Sequence, residues 1–272
     1  MAGVKARKPT PEIVARWLKA GYGQGEGAKY KPFLYVRDVP SRGTSTMVNS
    51  RITGRTHHYL SRQEYREHLL AEYDKSTIDI REQYALLPWE ETLQTAKRLG
   101  IRPPTYPGTR TPQVMTTDLL LSKHRPDGIE LVAISVKLES DLTPRNLEKL
   151  LIEKIYWNER GIHWRLATEK HRPEARVNNL DFFSLSLNYN FDLKSGPTPE
   201  KFSRCFEKNH KPNLTFNEIL KTTARELEID NSLAHALLGK AVWNGASMID
   251  IDAGILNHRS LVPLKKRGDS SV

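Results

Sequence analysis

Residues 115–138 carry the sequence MTTDLLLSKHRPDGIELVAISVKL, and this stretch decides the fold. Apolar and β-branched residues predict two strands here, one over residues 113–122 and one over residues 128–138. If these strands are adjacent, they form the centre of a sheet. The second strand alternates between two faces, with Val132, Ile134, Val136 and Leu138 on one and Ala133, Ser135 and Lys137 on the other.

Helical and extended patterns flank the two strands in a regular order. A helix is predicted over residues 61–72, and a strand follows over residues 76–87. Downstream, residues 143–158 predict a helix and residues 162–168 a fourth strand. The order helix, three strands, helix, strand (αβββαβ) predicts a mixed α/β core. The buried face of the helix after the third strand is expected to comprise Leu147, Leu150, Leu151 and Ile155.

A charged stretch around residues 169–176 marks a predicted domain boundary. The expected division is a catalytic domain with an N-terminal extension over residues 1–170 and a smaller domain over residues 171–272. The smaller domain shows helical patterns, followed by a predicted hairpin at residues 248–256, an order typical of winged-helix domains. A basic tail, residues 265–272, is expected to end it.

Composition narrows the class of protein. The 272 residues include 42 Lys and Arg against 32 Asp and Glu, which gives a formal net charge of +10. Such an excess favours a polyanionic partner such as nucleic acid. Cys205 is the single cysteine, so an intramolecular disulfide and a multi-cysteine zinc site are excluded. No apolar run is long enough for a membrane span and no secretory signal is visible, so we expect a cytoplasmic protein.

Three polar side chains stand out against this framework. Asp118 and Lys137 lie in the predicted central strands, where a charged group needs a partner or a cation. Glu64 lies in the first turn of the preceding helix. Carboxylate oxygens are ligands that suit Mg²⁺. Two structural alternatives stay open at this point, since Ser61-x-x-Glu64 also matches a capping box and Asp118 could pair with Lys137 as a buried ion pair.

The arrangement resembles the restriction-endonuclease-like superfamily, in which an acid on one strand precedes x-x-Lys on the next and a helix supplies a Glu. More specific segments resemble the TnsA family of endonuclease subunits of heteromeric cut-and-paste transposases. The segments that carry this resemblance lie at residues 54–61, 79–88, 114–118 and 147–157. Over about residues 10–168 the motifs occur in the family's order, whereas the C-terminal region resembles the family only in architecture.

The resemblance implies a role for each matching residue. Glu64, Asp118 and Lys137 match the catalytic set, with Glu64, Asp118 and the backbone carbonyl of Ser135 as ligands to one or two Mg²⁺ ions, for which Mn²⁺ can substitute. Ser135 departs from the acidic residue or Gln that relatives carry there, and Thr117 replaces a proline. Supporting positions are Glu82, Gln83, Glu153 and Tyr156, and candidate DNA contacts are Arg55, His57, His58 and Arg81.

The implied function is hydrolysis of the 5′-end strands of double-stranded DNA at transposon ends. The implied partners are a TnsB-type DDE transposase, which processes the 3′ ends, and a TnsC-type AAA+ ATPase that the C-terminal domain contacts. The protein would act in the bacterial cytoplasm on DNA. Two alternatives remain, a nuclease of the same fold in repair or restriction, and a non-catalytic DNA-binding or assembly module.

Overall fold

The structure, a computed structural model, describes residues 9–38, 44–184, 187 and 196–266. The chain divides into two compact units, Met1–Arg172 and Pro173–Val272. Among the described residues, no helix combines the length and the apolar character that crossing a bilayer requires.

A four-stranded mixed sheet forms the centre of the first unit. Strand β4 (Thr116–Arg125) pairs antiparallel with both β3 (Thr77–Ala85) and β5 (Gly128–Val136), and β6 (His163–Ala167) lies parallel to β5. The order across the sheet is β3-β4-β5-β6. The parallel pair is joined through helix α4 (Pro144–Asn158), because parallel neighbours need a crossover connection.

Shorter elements precede this sheet. Helix α1 (Pro11–Lys19) opens the described chain, and strands β1 (Thr46–Asn49) and β2 (Thr56–Tyr59) pair as a separate antiparallel ribbon. Helix α2 (Arg62–Tyr73) follows the ribbon, and α3 (Trp89–Arg98) follows β3. The predicted αβββαβ core is therefore present as a mixed α/β arrangement.

Local sequence explains where the helices around the sheet begin. Ser61 caps α2, since its side chain accepts a hydrogen bond from the Glu64 amide. Thr143 caps α4 in the same way, accepting from the Asn146 amide, and Pro144 occupies the first helical position. These caps fix the starts of the two helices that carry Glu64 and Glu153.

Each face of the sheet buries its own apolar cluster. One cluster lies on the side of α2 and the other on the side of α3 and α4, as expected for a sheet covered on both faces. The α2-side cluster comprises Tyr59, Ala71, Ile80, Leu119, Leu121, Val132, Ile134, Val136 and Ala167. The α4-side cluster comprises Leu86, Ala96, Met115, Leu120, Ala133, Ile152, Tyr156 and Trp157.

The predicted buried face of α4 is wrong at two positions. Leu147 and Leu151 are 47% and 43% exposed, whereas Leu150 is buried. The helix instead directs Ile152, Glu153, Tyr156 and Trp157 inward. Two overlapping apolar stripes run along this helix, and helical periodicity alone does not say which of them packs against the sheet.

Helices dominate the second unit. They are α5 (Glu174–Ser184), α6 (Pro199–Asn209), α7 (Phe216–Glu226) and α8 (Asn231–Trp243). A complete capping box starts α7, formed by Thr215 and Glu218. Helix α5 begins inside the charged stretch that the sequence marks as a boundary. The core of this unit includes Phe183, Phe202, Phe206, Phe216, Leu237 and Trp243.

The hairpin predicted at residues 248–256 does not form. Across the part of the unit that the structure describes, the β contacts there are isolated bridges, Ile249 with Leu264 and Thr215 with Leu261. The Asp250 side chain accepts a hydrogen bond from the Asp252 amide at 2.9 Å, which turns the chain locally and competes with a ladder. Most of the predicted basic tail, from residue 267 onward, lies outside the described residues.

Candidate active site

Asp118 lies at the third position of β4, where its carboxylate reaches across to the end of β5. Its Oδ2 accepts hydrogen bonds from the Val136 amide at 2.7 Å and from Lys137 Nζ at 3.2 Å. Among the described residues, every hydrogen bond to this carboxylate reaches Oδ2. The other oxygen, Oδ1, is therefore available to a ligand as far as these residues are concerned.

Lys137 follows β5 directly, so it stands at the strand end and not in mid-strand as predicted. Its amide donates to the Ala167 carbonyl at 3.1 Å, which holds the residue beside β6. Its Nζ also donates to the Val136 carbonyl at 2.7 Å. Burial lowers the pKa of Lys137, but Asp118 and then Glu153 outweigh burial and raise this pKa above its ordinary value. The side chain therefore carries a positive charge at neutral pH.

Glu64 enters the site from the first turn of α2. Its Oε2 accepts hydrogen bonds from the Leu60 amide at 2.9 Å and from Gln83 Nε2 at 3.2 Å, and its Oε1 accepts one from Ser61 Oγ at 2.8 Å. Burial raises the pKa of Glu64 to about 7, and the charge of Asp118 adds to the shift. Glu64 therefore serves as a helix-capping residue and shares an electrostatic environment with Asp118.

Glu153, on α4, is a third carboxyl group at this position. Its Oε1 accepts hydrogen bonds from the hydroxyls of Thr117, at 2.7 Å, and Ser135. Burial and then the charge of Asp118 raise the pKa of Glu153 to about 7. Two indole N–H groups direct the hydroxyl protons toward the carboxylate, because Trp157 Nε1 donates to Thr117 at 2.6 Å and Trp164 Nε1 donates to Ser135 at 3.0 Å.

Three of these side chains take part in the hydrogen bonds around Glu153 in a way that was not predicted from the sequence. Thr117 was noted only as the replacement of a proline, and no role was predicted for Trp157 or Trp164. Both positions that depart from the family pattern, Thr117 and Ser135, contact the same carboxylate. The signal in the sequence was that a hydroxyl-bearing residue stands at both of these positions, which could have indicated a shared hydrogen-bond partner. For the predicted Ser135 carbonyl, its role as a ligand stays a prediction.

The donor chemistry of the site suits a hard divalent cation. Three carboxyl groups and one ammonium group share it, an excess of two negative charges when all four are ionised. Burial and then the charge of Asp118 raise the pKa values of Glu64 and Glu153, and a cation placed among the three carboxyl groups would relieve their repulsion. In the described residues no set of three or more His, Cys, Asp or Glu side chains is arranged as a ready metal cage. Mg²⁺ needs only one or two carboxylates alongside water and phosphate oxygens.

The four supporting positions divide into two groups. Gln83 and Glu153 contact the site directly. Glu82 lies on the α2 side of the sheet, where its carboxylate binds Arg55 and the His58 amide, and it makes no contact with Asp118 or Lys137 among the described residues. The Tyr156 hydroxyl donates to the Leu87 carbonyl at 2.7 Å, which is a packing role.

Burial argues against three of the four predicted DNA contacts. Arg55 forms a two-pronged ion pair with Glu82, at 2.5 and 2.7 Å. His57 is fully buried, and Arg81 is 5% exposed and donates to Ser122 at 2.8 Å. These side chains have protein partners, which supports a structural role, and their contact with DNA stays a prediction. His58 is half-buried, with its ring against Tyr35.

A further chain of buried hydrogen bonds lies beside this ion pair. The Tyr59 hydroxyl bridges His57 Nδ1 at 3.0 Å and His68 Nδ1 at 2.8 Å. Burial lowers the pKa of His57 far below its ordinary value and that of His68 to about 3. Both rings are therefore neutral at physiological pH, and this chain supports β2 against α2.

Comparisons with known proteins agree with the geometry. Residues 74–169 match the family model described as the N-terminal domain of TnsA-like endonucleases, a range that holds Asp118, Ser135, Lys137 and Glu153. Transposition protein TnsA of transposon Tn7 from Escherichia coli is 43% identical over 181 residues, which is 65% of this chain and 64% of that protein. The chain thus matches slightly less than two thirds of the relative's length. On these two similarities, the chain resembles the TnsA family.

Proposed function

We propose that this protein is the endonuclease subunit of a cut-and-paste DNA transposase and that it hydrolyses the 5′-end strands at transposon ends. One observation carries the proposal. Glu64, Asp118 and Lys137 come from a helix, a strand and a strand end far apart in sequence, and the three charges act on one another. The similarity to a Tn7 transposition protein supports transposition over repair or restriction.

In this proposal the protein's own side chains bind and orient the reacting groups. The charged Lys137 offers its ammonium group to phosphate oxygens and donates a hydrogen bond to Asp118. Asp118 and Glu64 would hold a divalent cation, to which the Ser135 carbonyl is a predicted further ligand. Glu153 stands behind Ser135 and adds negative charge near Lys137.

Mg²⁺ is the proposed cofactor, with Mn²⁺ as its substitute. Bound there, the cation would polarise the scissile phosphodiester, a contribution that these carboxylates cannot make themselves. We expect chelation to stop cleavage and either cation to restore it.

The proposed partners are double-stranded DNA at the transposon ends, a TnsB-type DDE transposase and a TnsC-type AAA+ ATPase. Sequence recognition is assigned to the transposase partner, because the chain carries no strong base-reading motif. For the second unit we propose a winged-helix-like fold that docks the ATPase. Helices α6 to α8 and the bridges at Ile249 and Thr215 support that assignment.

A strand-specific cleavage assay tests the proposal. End-labelled transposon DNA is incubated with the transposase partner, Mg²⁺ and either wild-type protein or the Asp118→Asn variant. We expect Asp118→Asn to lower 5′-strand cleavage by at least about 100-fold while the partner's 3′-strand cleavage continues, since removal of a charged group that acts in the transition state costs rate and not assembly.

Asp127 supplies the matched control, because it is an exposed acid in the turn between β4 and β5. Asp127→Asn should cleave like wild type. Equal cleavage by Asp118→Asn and Asp127→Asn would exclude the proposed catalytic role of Asp118. A wild-type protein that joins the complex but never cuts the 5′ strand would favour the assembly-module alternative.

A further inference from the structure

We propose that Gln83 is a positioning residue of this active site, and that its left-handed backbone conformation directs its side-chain amide onto Glu64. The inference rests on the proposed function, because Glu64 is a candidate ligand and catalytic group there. Gln83 itself is 2% exposed and contacts Glu64 but neither Asp118 nor Lys137 through a hydrogen bond among the described residues.

The position of Gln83 in the sheet is the first argument. Glu82 pairs with Leu119, and Tyr84 pairs with Thr117, so Gln83 stands opposite Asp118 across β3 and β4. Yet the ladder carries no pair between these two residues. The sheet is therefore interrupted at the level of the candidate catalytic acid.

In both strands the side chains change from one face of the sheet to the other at this interruption. Along β3, Ile80 belongs to the cluster on the α2 side, whereas Tyr84 packs against the cluster on the α4 side, although an undisturbed strand keeps even-numbered residues on one face. Along β4, Leu119 lies on the α2 side, but Thr117 binds Glu153 of α4. A local irregularity that redirects side chains is a common device beside active sites.

The backbone conformation of Gln83 explains this change of face. Its φ angle is +47°, in the left-handed region that residues with a Cβ seldom occupy. The N-terminal segment stabilises this conformation, because the Phe33 amide donates to the Gln83 carbonyl at 3.2 Å and the Tyr30 hydroxyl donates to the Glu82 carbonyl at 3.0 Å. Strain of this kind persists where surrounding contacts enforce it, and it clusters at functional sites.

The side-chain amide is then held at both ends. Nε2 donates to Glu64 Oε2 at 3.2 Å, while Oε1 accepts from Thr116 Oγ1 at 3.3 Å. An ionised Glu64 carboxylate only accepts, so it selects the Nε2 donor of the amide, and the Thr116 hydroxyl, which can donate or accept, bonds to the opposite Oε1. A side chain that served only to pack would not need a hydrogen-bond donor facing Glu64. An experiment can therefore distinguish the donor from the shape of the side chain.

Two substitutions isolate the amide from the backbone. Gln83→Glu keeps the shape but places an acceptor against the Glu64 carboxylate. Gln83→Asn tolerates the left-handed conformation and keeps an amide, but it is one methylene too short to reach Glu64. Each variant is assayed for 5′-strand cleavage with the transposase partner, for Mn²⁺ affinity of the free protein by electron paramagnetic resonance, and for its urea-unfolding midpoint.

Glu228 gives the control, since its φ angle is +54° and it is the other non-glycine residue with positive φ in the described chain. We expect Gln83→Asn to lower cleavage about tenfold and weaken Mn²⁺ binding several-fold, the scale of one hydrogen bond to a charged group, with its unfolding midpoint near wild type. Gln83→Glu should lose more cleavage than Gln83→Asn. Glu228→Asn should change neither cleavage nor Mn²⁺ affinity.

Two results would overturn the inference. One is wild-type cleavage and wild-type Mn²⁺ affinity in both Gln83 variants. The other is a loss in cleavage and in affinity that merely follows a fall in the unfolding midpoint. Failure of the proposed function looks different, because wild-type protein would then not cut the 5′ strand at all. Mn²⁺ affinity would still report whether Gln83 positions Glu64.

Discussion

At the scale of the single residue, burial and mutual repulsion set the protonation of the site. Glu64 and Glu153 have pKa values of about 7 in the folded protein, against an ordinary value of 4.5. Asp118 and Lys137 lie between them as an ion pair with an Nζ to Oδ2 distance of 3.2 Å. The two outer carboxyls therefore hold protons at pH values where exposed carboxyls have lost them.

This protonation predicts a pH dependence of stability that Glu153→Gln should reduce. A carboxyl with a raised folded pKa contributes its full stability below pH 4.5, and the contribution is lost as pH rises through about 7. Relative to Glu153→Gln, wild-type protein should lose a few kcal/mol of unfolding free energy between pH 5 and pH 8, at about 1.4 kcal/mol per pKa unit.

Urea unfolding at several pH values measures this difference. The comparison with the variant is needed because the buried His57 and His68 have lowered pKa values and act in the opposite direction, losing stability as pH falls. Parallel curves for wild type and Glu153→Gln would show that Glu153 titrates normally and would contradict the prediction.

At the scale of the element, α4 offers a direct contrast between neighbouring leucines. Leu150 is 6% exposed and Leu151 is 43% exposed. Leu151→Ala should change the unfolding free energy by no more than about 0.5 kcal/mol, the usual range for a surface position. Leu150→Ala should cost about 2–5 kcal/mol, because it leaves a cavity in the core. Chemical denaturation of both variants measures this difference, and similar losses would show that the exposed stripe is buried in solution.

The two central strands, β4 and β5, show how much of the structure could be predicted from the sequence. The strands β4 and β5 follow from local alternation, and the meeting of Asp118 with Lys137 follows from placing them side by side. The hydrogen bond from Thr117 to Glu153 could not be predicted, because the direction of the Thr117 side chain depends on the change of face at Gln83. No local sequence pattern indicates that change. The ion pair of Arg55 could not be predicted for a similar reason, since its partner Glu82 lies 27 residues away.

At the scale of the whole molecule, the boundary between the two units has a physical marker. Arg172, the last residue of the first unit, is buried and donates from Nε to Glu67 Oε1 at 3.0 Å, and it also binds Gln63. Both partners lie on α2, the helix that carries Glu64. We therefore expect the first unit to need the chain up to Arg172, two residues beyond the boundary that the sequence predicts.

Two fragments test that boundary. A fragment of residues 1–173 keeps Arg172, and a fragment of residues 1–170 leaves the buried Glu67 with Arg165 alone. We expect the shorter fragment to be less stable by about 1.5–3 kcal/mol, the scale of one hydrogen bond to a charged group, because Arg165 still pairs with Glu67. Thermal unfolding of the two fragments gives the comparison. Equal midpoints would show that Arg172 does not stabilise the first unit.

Glu64 fulfils two requirements with one carboxyl group, since it completes the start of α2 and faces Asp118. This has a consequence for genetics. A random screen for variants that assemble normally yet fail to cut will recover changes at Asp118, where the helix start is untouched. Changes at Glu64 will be discarded with the misfolded class, so the residue will be under-represented among separation-of-function alleles although it belongs to the site.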